Sequence, residues 1–236
     1  MQQTGASRNP QTCYRQALYP QRSRMTTGQQ RAWDRNWDCW GADVGDLPDG
    51  PLDTAGWFGR RAPIVLEIGS GMGESTAAMA IAAPDVDHLA VEVYQPGLAQ
   101  LVLRIERSEI TNLRLLRGDA QTLLTEHIAP GRLRAVRIYF PDPWPKRRHH
   151  KRRLVHPEFV ALVASRLEIG GTLHLATDWE PYAEEMLTVC GAEPGLHNIA
   201  PGNGFAPRPA WRPVTKFEQR ARDEGRVVRD LLLTRV

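Results

Sequence analysis

The residues best suited to chemistry begin with a glycine-rich turn, Gly69-Ser70-Gly71-Met72-Gly73, which directly follows the hydrophobic run 64–68. Glycines let the backbone turn sharply and let a ligand approach without interference from a Cβ atom. A dinucleotide-binding turn carries a further glycine or alanine where Glu74 stands here. Because a carboxylate at a helix N-terminus would repel a pyrophosphate, this turn favours a nucleotide-like cofactor without phosphate and disfavours a nicotinamide dehydrogenase.

Three carboxylates, Glu67, Glu92 and Asp119, lie within or just after hydrophobic runs around this turn. Open α/β sheets bind ligands at the carboxyl ends of their parallel strands, so these side chains are expected to share one pocket. Glu92 is suited to ribose hydroxyls, Asp119 to an adenine amino group and Glu67 to the ammonium group of a cofactor. Two simpler interpretations stay open: Glu67 braces the glycine turn, or Asp119 only caps a helix.

A second group of candidate residues follows the hydrophobic run 136–140. Asp142 stands between Pro141 and Pro143, which fix φ and stiffen the turn. A rigid carboxylate there can accept hydrogen bonds from the N1–H and amino group of guanine. Trp144 offers a face for base stacking, which is worth about 1–3 kcal/mol per base.

The eight positions 146–153 contain six lysines or arginines and two histidines, with no acidic residue among them. A run of charge is often only a solvated surface, but this one directly adjoins Asp142 and Trp144. That placement predicts contacts with nucleic-acid phosphates. The expected contact residues are Lys146, Arg148, His149, His150, Lys151, Arg152 and Arg153.

Two further motifs supply candidate substrate contacts. Asp178 follows the run 172–176, and the alternative for Thr177 and Asp178 is a helix N-cap. Near the C-terminus stand Thr215, Lys216, Phe217 and Glu218. Thr215 and Glu218 have the spacing of a capping box, so their alternatives are a structural cap and a clamp on a base or ribose.

The elements that must position these residues alternate between strand-like runs and helix-length segments. The predicted strands are 64–68, 89–93, 113–116, 136–140 and 172–176, and the predicted helices are 75–83, 97–106 and 157–167. This alternation predicts right-handed βαβ units and a mostly parallel sheet with helices on both faces. The final run 231–236 is expected to pair with residues near 196–199 as an antiparallel edge.

The N-terminal part carries a helix signal of its own. Trp33, Trp37 and Trp40 recur at i, i+4 and i+7, so they line one helix face, which we expect to pack onto the core. Residues 1–24 are rich in Gln, Arg, Ser and Pro, which predicts a disordered basic tail; a transit peptide and a start at Met25 are the alternatives. Residues 25–236 are predicted to form one domain, with 25–61 as a helical extension.

Composition limits the class of protein. The 236 residues include 42% hydrophobic and 24% charged residues, an ordinary globular balance, and the net charge is +3. The three cysteines, Cys13, Cys39 and Cys190, form no CxxC pair. This argues against disulfides and structural zinc and suits a reducing cytoplasm. No run approaches the roughly 20 apolar residues of a membrane span, so no membrane association is expected.

The assembled motifs resemble the bacterial tRNA (guanine-N7)-methyltransferase family. The resemblance covers about residues 24–236 and is carried by Leu66-Glu67-Ile68-Gly69-Ser70-Gly71-Met72-Gly73, Phe140-Pro141-Asp142-Pro143-Trp144-Pro145-Lys146, Ala176-Thr177-Asp178-Trp179-Glu180-Pro181-Tyr182 and Arg212-Pro213-Val214-Thr215-Lys216-Phe217-Glu218. Two departures are Trp37-Asp38, where Trp-Pro is common, and Pro145, where a polar residue is common.

This resemblance implies a Rossmann-like class I methyltransferase fold, with a seven-stranded sheet and an antiparallel C-terminal edge strand. It implies S-adenosylmethionine as methyl donor, no metal, and guanine 46 in the variable loop of tRNA as target. Donor contacts are expected from Glu67, Gly69, Gly71, Gly73, Glu92, Asp119 and Asp142, with Asp142 also catalytic. Substrate contacts are expected from Lys146, Asp178, Thr215, Lys216, Phe217 and Glu218, with the basic run on the RNA. A monomer or homodimer without an obligatory protein partner is expected.

Two rival functions remain at this stage. An amino-group methyltransferase commonly has two prolines between the aspartate and the aromatic residue, whereas only Pro143 separates Asp142 from Trp144 here. A non-catalytic RNA-binding protein could retain the same fold. Failure to bind S-adenosylmethionine would support that second rival.

Overall fold

The computed structural model describes residues 24–236, so the predicted tail, apart from Arg24, and Cys13 lie outside the described residues. The strands are β1 (Gly41–Asp43), β2 (Ile64–Ile68), β3 (Asp87–Glu92), β4 (Leu113–Arg117), β5 (Leu133–Tyr139), β6 (Leu167–Thr177), β7 (Leu196–Asn198) and β8 (Arg229–Arg235). They form one sheet in the order β1-β4-β3-β2-β5-β6-β8-β7. Neighbouring strands from β1 to β6 pair in parallel, and β8 runs antiparallel to both β6 and β7.

The helices cover both faces of this sheet, as predicted. They are α1 (Thr27–Trp40), α2 (Thr54–Phe58), α3 (Glu74–Ala82), α4 (Gln95–Ser108), α5 (Ala120–Thr122, continued by a π-helical turn Leu123–His127), α6 (Pro157–Arg166), α7 (Glu180–Gly191) and α8 (Lys216–Asp223). Leu89 and Val91 of β3 belong to the core with α5, α6 and α7, whereas Ala90 belongs to the core with α1, α3 and α4. Since successive strand residues point to opposite faces, these two cores lie on opposite sides of the sheet.

The sheet differs from the prediction in two details. It has eight strands among the described residues because Gly41–Asp43 adds a short parallel strand beside β4. The C-terminal strand is antiparallel, as predicted, but it is not the edge strand, because β7 pairs with its outer side. The predicted pairing of the C-terminal run with residues near 196–199 is therefore confirmed.

Helix α1 packs on α4 through the tryptophan face that the sequence predicted. Thr26 caps it through a reciprocal capping box with Gln29, at 3.3 and 2.8 Å. The rings of Trp33 and Trp37 stack with centroids 3.8 Å apart, and both rings, with Trp40, pack against the core that contains α4. Helix α1 therefore covers the hydrophobic core that contains α4.

Candidate active site

The carboxyl ends of the parallel strands bring the predicted site residues to one edge of the sheet. Across this edge stand Asp119 after β4, Glu92 on β3, the glycine turn after β2, Asp142 after β5 and Asp178 after β6. The strand order reverses between β2 and β5, because β3 and β4 lie on one side of β2, and β5 and β6 on the other. Open α/β sheets bind ligands at this kind of switch point.

The glycine turn has a backbone that other residues would strain. Gly69, Gly71 and Gly73 have φ of +80°, +54° and +69°, in the left-handed region that favours glycine. Gly97, at the start of α4, approaches the turn so closely that a Cβ atom there would lie 2.3 Å from the Gly71 carbonyl oxygen. The turn and the start of α4 are therefore tightly packed against each other.

Glu92 holds this turn through its buried carboxylate. Its Oε2 accepts a hydrogen bond from the Gly71 N–H at 2.9 Å, and its Oε1 accepts from Val93 and Tyr94 at 2.7 and 2.9 Å. A carboxylate has about four acceptor sites, so the three backbone donors leave room for a ribose hydroxyl, and the ribose contact of Glu92 stays a prediction. Burial raises the pKa of Glu92, and the three backbone donors oppose that rise.

Glu67 is also buried, but its surroundings differ. Burial is the main cause that raises its pKa to about 7, and the nearby Arg137 guanidinium and Thr76 hydroxyl oppose this effect. Arg137 on β5 is the register partner of Glu67 on β2. Glu92, rather than Glu67, makes the hydrogen bond to the glycine turn, so the bracing role proposed as an alternative for Glu67 falls to Glu92.

We expect the affinity for S-adenosylmethionine to rise with pH through about 7 if the ionised Glu67 carboxylate attracts the cofactor ammonium. With a pKa of about 7, the ionised fraction, and hence this contribution to affinity, should be about tenfold higher at pH 8 than at pH 6. The measurement is isothermal titration calorimetry of the parent and Glu67→Gln at both pH values. The amino group of the cofactor titrates identically in both proteins, so equal pH dependence would contradict a direct role for Glu67.

Asp119 and Glu74 occupy helix N-termini. Asp119 Oδ1 accepts hydrogen bonds from the N–H and hydroxyl of Thr122, at 2.8 and 3.0 Å, so its capping role is confirmed. Its adenine contact stays a prediction. Glu74 begins α3, and its Oε1 lies 3.4 Å both from Arg104 Nη2 and from Lys216 Nζ.

Asp142 lies on a strained loop beside Glu92. Phe140 and Trp144, on either side of the Pro141–Pro143 turn, have φ of +50° and +45°. Left-handed backbone at non-glycine residues costs about 1–3 kcal/mol each and is concentrated at functional sites. Partial displacement of water by neighbouring atoms raises the pKa of Asp142, although its side chain remains solvent-accessible. The same proximity couples Asp142 electrostatically to Glu92.

The basic run forms a short 3₁₀ helix, Arg147–Arg152, directly after this loop. Lys146, Arg148 and Lys151 are exposed. The Arg152 guanidinium lies over the ring of Trp144, 4.9 Å from its centroid, and the ring of His149 meets Trp144 edge-on at 5.7 Å. Trp144 is therefore already in contact with the basic helix, and Arg152 covers one face of its ring.

Arg153 is buried, unlike the exposed residues of the basic run, so the prediction that it contacts RNA was wrong. Its side chain is 2% exposed, forms an ion pair with Glu185 and donates to the Pro143 carbonyl oxygen at 2.9 Å. Its guanidinium also lies 4.7 Å from the centroid of the Tyr182 ring. Arg153 thus anchors the Asp142 loop to α7 from inside the protein.

We expect Arg153→Ala to lower the free energy of unfolding by about 1–2 kcal/mol, because the Pro143 carbonyl loses its donor and the Tyr182 ring loses the cation packed on it. The Glu185 carboxylate that remains is 36% exposed, so water screens its charge. Urea denaturation measures this change. Arg148→Ala is the matched control, since Arg148 is exposed in the same run and its loss should weaken RNA binding without changing stability. Equal stabilities of the two variants would contradict the buried anchor.

The C-terminal motif is divided between the surface and the interior. Thr215 caps α8 by accepting from the Glu218 N–H at 3.0 Å, so the capping interpretation of Thr215 is confirmed. Glu218 is 1% exposed, and its Oε2 lies 2.6 Å from Arg212 Nη1, so its side chain belongs to an internal ion-pair network and has a structural role rather than that of a clamp on a base or ribose. Asp178 forms an ion pair with Arg226.

Lys216 and Phe217 connect the two halves of the site. The Phe217 ring stacks on Phe140, with centroids 6.1 Å apart, and remains 65% exposed. Lys216 reaches Glu74 at the end of the glycine turn. The segment 215–217 therefore lies across the edge of the sheet, between the glycine turn and the loop 140–144 that carries Asp142.

The buried Arg212 was missed by the sequence interpretation. A signal was present, because Asp230 directly precedes the hydrophobic final run 231–236, and in the structure it is buried. A buried carboxylate needs a cation or several donors, and Arg212 supplies them at 3.0 Å from Asp230 Oδ2.

The described residues carry neither a membrane-spanning helix nor a cluster of metal-ligating side chains. None of their helices has the length and apolar character needed to cross a membrane. Among residues 24–236, His, Cys, Asp and Glu side chains do not group in threes or more as metal ligands would. Cys39 and Cys190 are free thiols.

Solved structures of known proteins share this fold. The chain is similar to the crystal structure of the 16S rRNA methyltransferase KamB, with a TM-score of 0.54 and 16% identity over 81% of this chain and 97% of that one. It is also similar to the 30S ribosomal A1408 methyltransferase from an uncultured bacterium, with a TM-score of 0.52, 12% identity and coverage of 80% and 100%. At these identities the likeness concerns the fold alone, which is that of class I methyltransferases.

Comparison of the sequence identifies the family. A family model described as "Putative methyltransferase" matches residues 61–231. A tRNA (guanine-N(7)-)-methyltransferase of Streptomyces coelicolor is 54% identical over 93% of this chain and 80% of its own length. One of Saccharophagus degradans is 48% identical, with coverage of 90% and 91%. With this identity over almost its whole length, the chain belongs to the tRNA (guanine-N7)-methyltransferase family.

Proposed function

We propose that this protein transfers a methyl group from S-adenosylmethionine to N7 of guanine 46 in the variable loop of tRNA. The observation that carries the proposal is the position of Asp142, at the switch point of the sheet. On one side lie the buried carboxylates Glu67 and Glu92, and on the other begins the basic 3₁₀ helix. A group bound among the carboxylates and an RNA bound on the basic helix would meet at Asp142.

The residues at the glycine turn fit S-adenosylmethionine. This cofactor has ribose hydroxyls and an ammonium group but no phosphate, and the carboxylates Glu67, Glu92 and Glu74 around the turn would repel a phosphate. Glu92 would hold the ribose, Glu67 the ammonium and Asp119 the adenine amino group. When bound, the cofactor supplies a methyl group activated by its positively charged sulfur.

Asp142 would orient the guanine and balance its charge. Guanine N7 is an unprotonated lone pair at neutral pH, so the reaction needs no strong general base and depends on proximity and alignment. The Asp142 carboxylate would accept hydrogen bonds from N1–H and the amino group of guanine, which leaves N7 on the opposite side of the base. Methylation places a positive charge on the ring, and a nearby carboxylate stabilises that charge as it develops.

The exposed part of the basic run would hold the RNA backbone. Lys146, Arg148 and Lys151 are exposed beside the Asp142 loop. Each phosphate contact made by such a cation releases counterions, so tRNA affinity should fall as salt rises. Asp178, Lys216 and Phe217 would then surround the base once it leaves the loop stack.

The test is incubation of the purified chain alone with unmodified tRNA transcript and S-adenosylmethionine, followed by borohydride reduction and aniline cleavage. Cleavage at guanine 46 would support methyl transfer, N7 as the acceptor atom and guanine 46 as the target. It would also show that no second protein is obligatory. A transcript with 7-deazaguanine at that position is the matched control, because it lacks N7 but retains the amino group. Methyl incorporation into that control would instead support an amino-group methyltransferase, and donor binding without incorporation would contradict the proposal.

A further inference from the structure

A buried network of charged and polar side chains lies behind the C-terminal motif. The Arg212 side chain is 0% exposed, and its two carboxylate partners, Glu218 and Asp230, are each 1% exposed. Arg212 Nη1 donates to Glu218 Oε2 at 2.6 Å, and Nη2 donates to Asp230 Oδ2 at 3.0 Å. One guanidinium therefore joins the start of α8 to β8.

The network continues from β8 into the sheet. Asp230 Oδ1 lies 2.6 Å from His174 Nε2 on β6, and His174 Nδ1 lies 3.0 Å from the Tyr139 hydroxyl on β5. A carboxylate only accepts hydrogen bonds, so Nε2 carries the proton, and the neutral imidazole then accepts from Tyr139 through Nδ1. Burial, as the largest cause, lowers the pKa of His174, which agrees with the neutral form. The far end of the network is thus fixed on three neighbouring strands.

The Arg212–Glu218 end of the network closes a short loop, residues 213–217. Arg212 and Glu218 flank residues 213–217 and are bonded to each other, so they close this segment at its base. Two further arginines, Arg208 and Arg222, reach the other oxygen of Glu218. Between the bonded residues, Thr215 caps α8 and Phe217 stacks on Phe140.

We infer that Arg212 is a positioning residue for tRNA methylation: it acts through Glu218 and Asp230 to hold Thr215, Lys216 and Phe217 at the guanine site, without touching substrate itself. This inference rests on the proposed function. An arginine suits the task because its planar fork bonds two carboxylates at once, whereas a lysine ammonium is a point charge.

Loss of the Arg212 bonds should affect kcat more than KM for tRNA or Kd for the donor, because different parts of the site determine these three quantities. Phosphate contacts on the basic helix supply most of the tRNA affinity, so loosening the 213–217 segment should leave the KM for tRNA little changed. Misplacement of the base by even about 1 Å costs up to about 100-fold in rate, so kcat should fall. The cofactor pocket is built by β2, β3 and α4, so the Kd for S-adenosylmethionine should be unaffected.

The test compares Arg212→Lys with Arg220→Lys, which makes the same change at an exposed arginine of α8 that pairs with Glu224 and lies outside the network. For Arg212→Lys we expect kcat to fall at least about tenfold, KM for tRNA to change less than about threefold, and donor Kd to stay within about twofold. Hydrogen–deuterium exchange should increase in residues 213–219 and stay constant in residues 64–68. For Arg220→Lys we expect parent values throughout.

Parent kcat in Arg212→Lys, or unchanged exchange in 213–219, would overturn the inference. A loss of donor affinity in proportion to kcat would also overturn it, because that result would mark Arg212 as a residue of general stability. If Arg212→Lys does not fold, Asp230→Asn weakens the other end of the network and is measured in the same way. Exchange and donor affinity are measured without tRNA, so they test the anchoring even if the parent protein proves not to methylate guanine N7.

Discussion

Replacement of Asp142 by asparagine is expected to lower kcat for tRNA methylation by about 100- to 1,000-fold, the range found when a group that stabilises transition-state charge is removed. The amide keeps the shape of the side chain but loses the negative charge. It also turns an NH₂ group toward the guanine N1–H or amino group. The loop backbone, fixed by Pro141, Pro143 and the Arg153 anchor, should keep its position.

Single-turnover methylation and calorimetric titration of the donor separate the two contributions of Asp142. The Kd for S-adenosylmethionine should change by less than about fivefold, because Glu67 and Glu92 remain. Asp85→Asn is the matched control: it makes the same change at an exposed residue just before β3, at the opposite end of the strands. Undiminished turnover in Asp142→Asn would remove Asp142 from the reaction.

The second large effect is expected for Glu92→Gln, which should weaken the binding of S-adenosylmethionine about 100-fold, equivalent to about 3 kcal/mol. In the parent, both carboxylate oxygens accept from backbone N–H groups, one from Gly71 and one from Val93 and Tyr94. An amide has only one oxygen, so its NH₂ must face at least one of these donors. Hydrogen bonds to charged groups are worth about 1.5–3 kcal/mol, and the loss would deform the glycine turn.

Calorimetric titration gives the donor affinity, and thermal unfolding reports whether the turn alone or the whole domain is affected. Glu184→Gln, at an exposed position of α7, is the control for the same chemical change. The expected pattern is a large loss of affinity with a modest loss of stability. Parent affinity in Glu92→Gln would contradict the role of Glu92 as the support of the turn.

The sequence predicted the fold class and the edge of the sheet at which the candidate site residues meet. The predicted strand 64–68 is the observed β2, and the three predicted helices overlap α3, α4 and α6. This success has a physical basis, since β-strand and helix periodicities are local properties of the chain. The short strand β1 escaped prediction because three residues carry no periodicity, and its existence depends on β4.

What the sequence by itself determined was the chemistry available at each strand end: the glycine turn, the carboxylates Glu67, Glu92 and Asp142, and the adjoining basic run. Only the tertiary structure decided which charges face solvent and which are buried. Arg153 pairs with Glu185, 32 positions away, and Arg212 with Asp230, 18 positions away. A run of charged residues has the same composition whether its side chains are buried or face solvent. The cost of burying a charge is met only by a partner that folding brings near, so no local pattern could have separated Arg153 from its exposed neighbours.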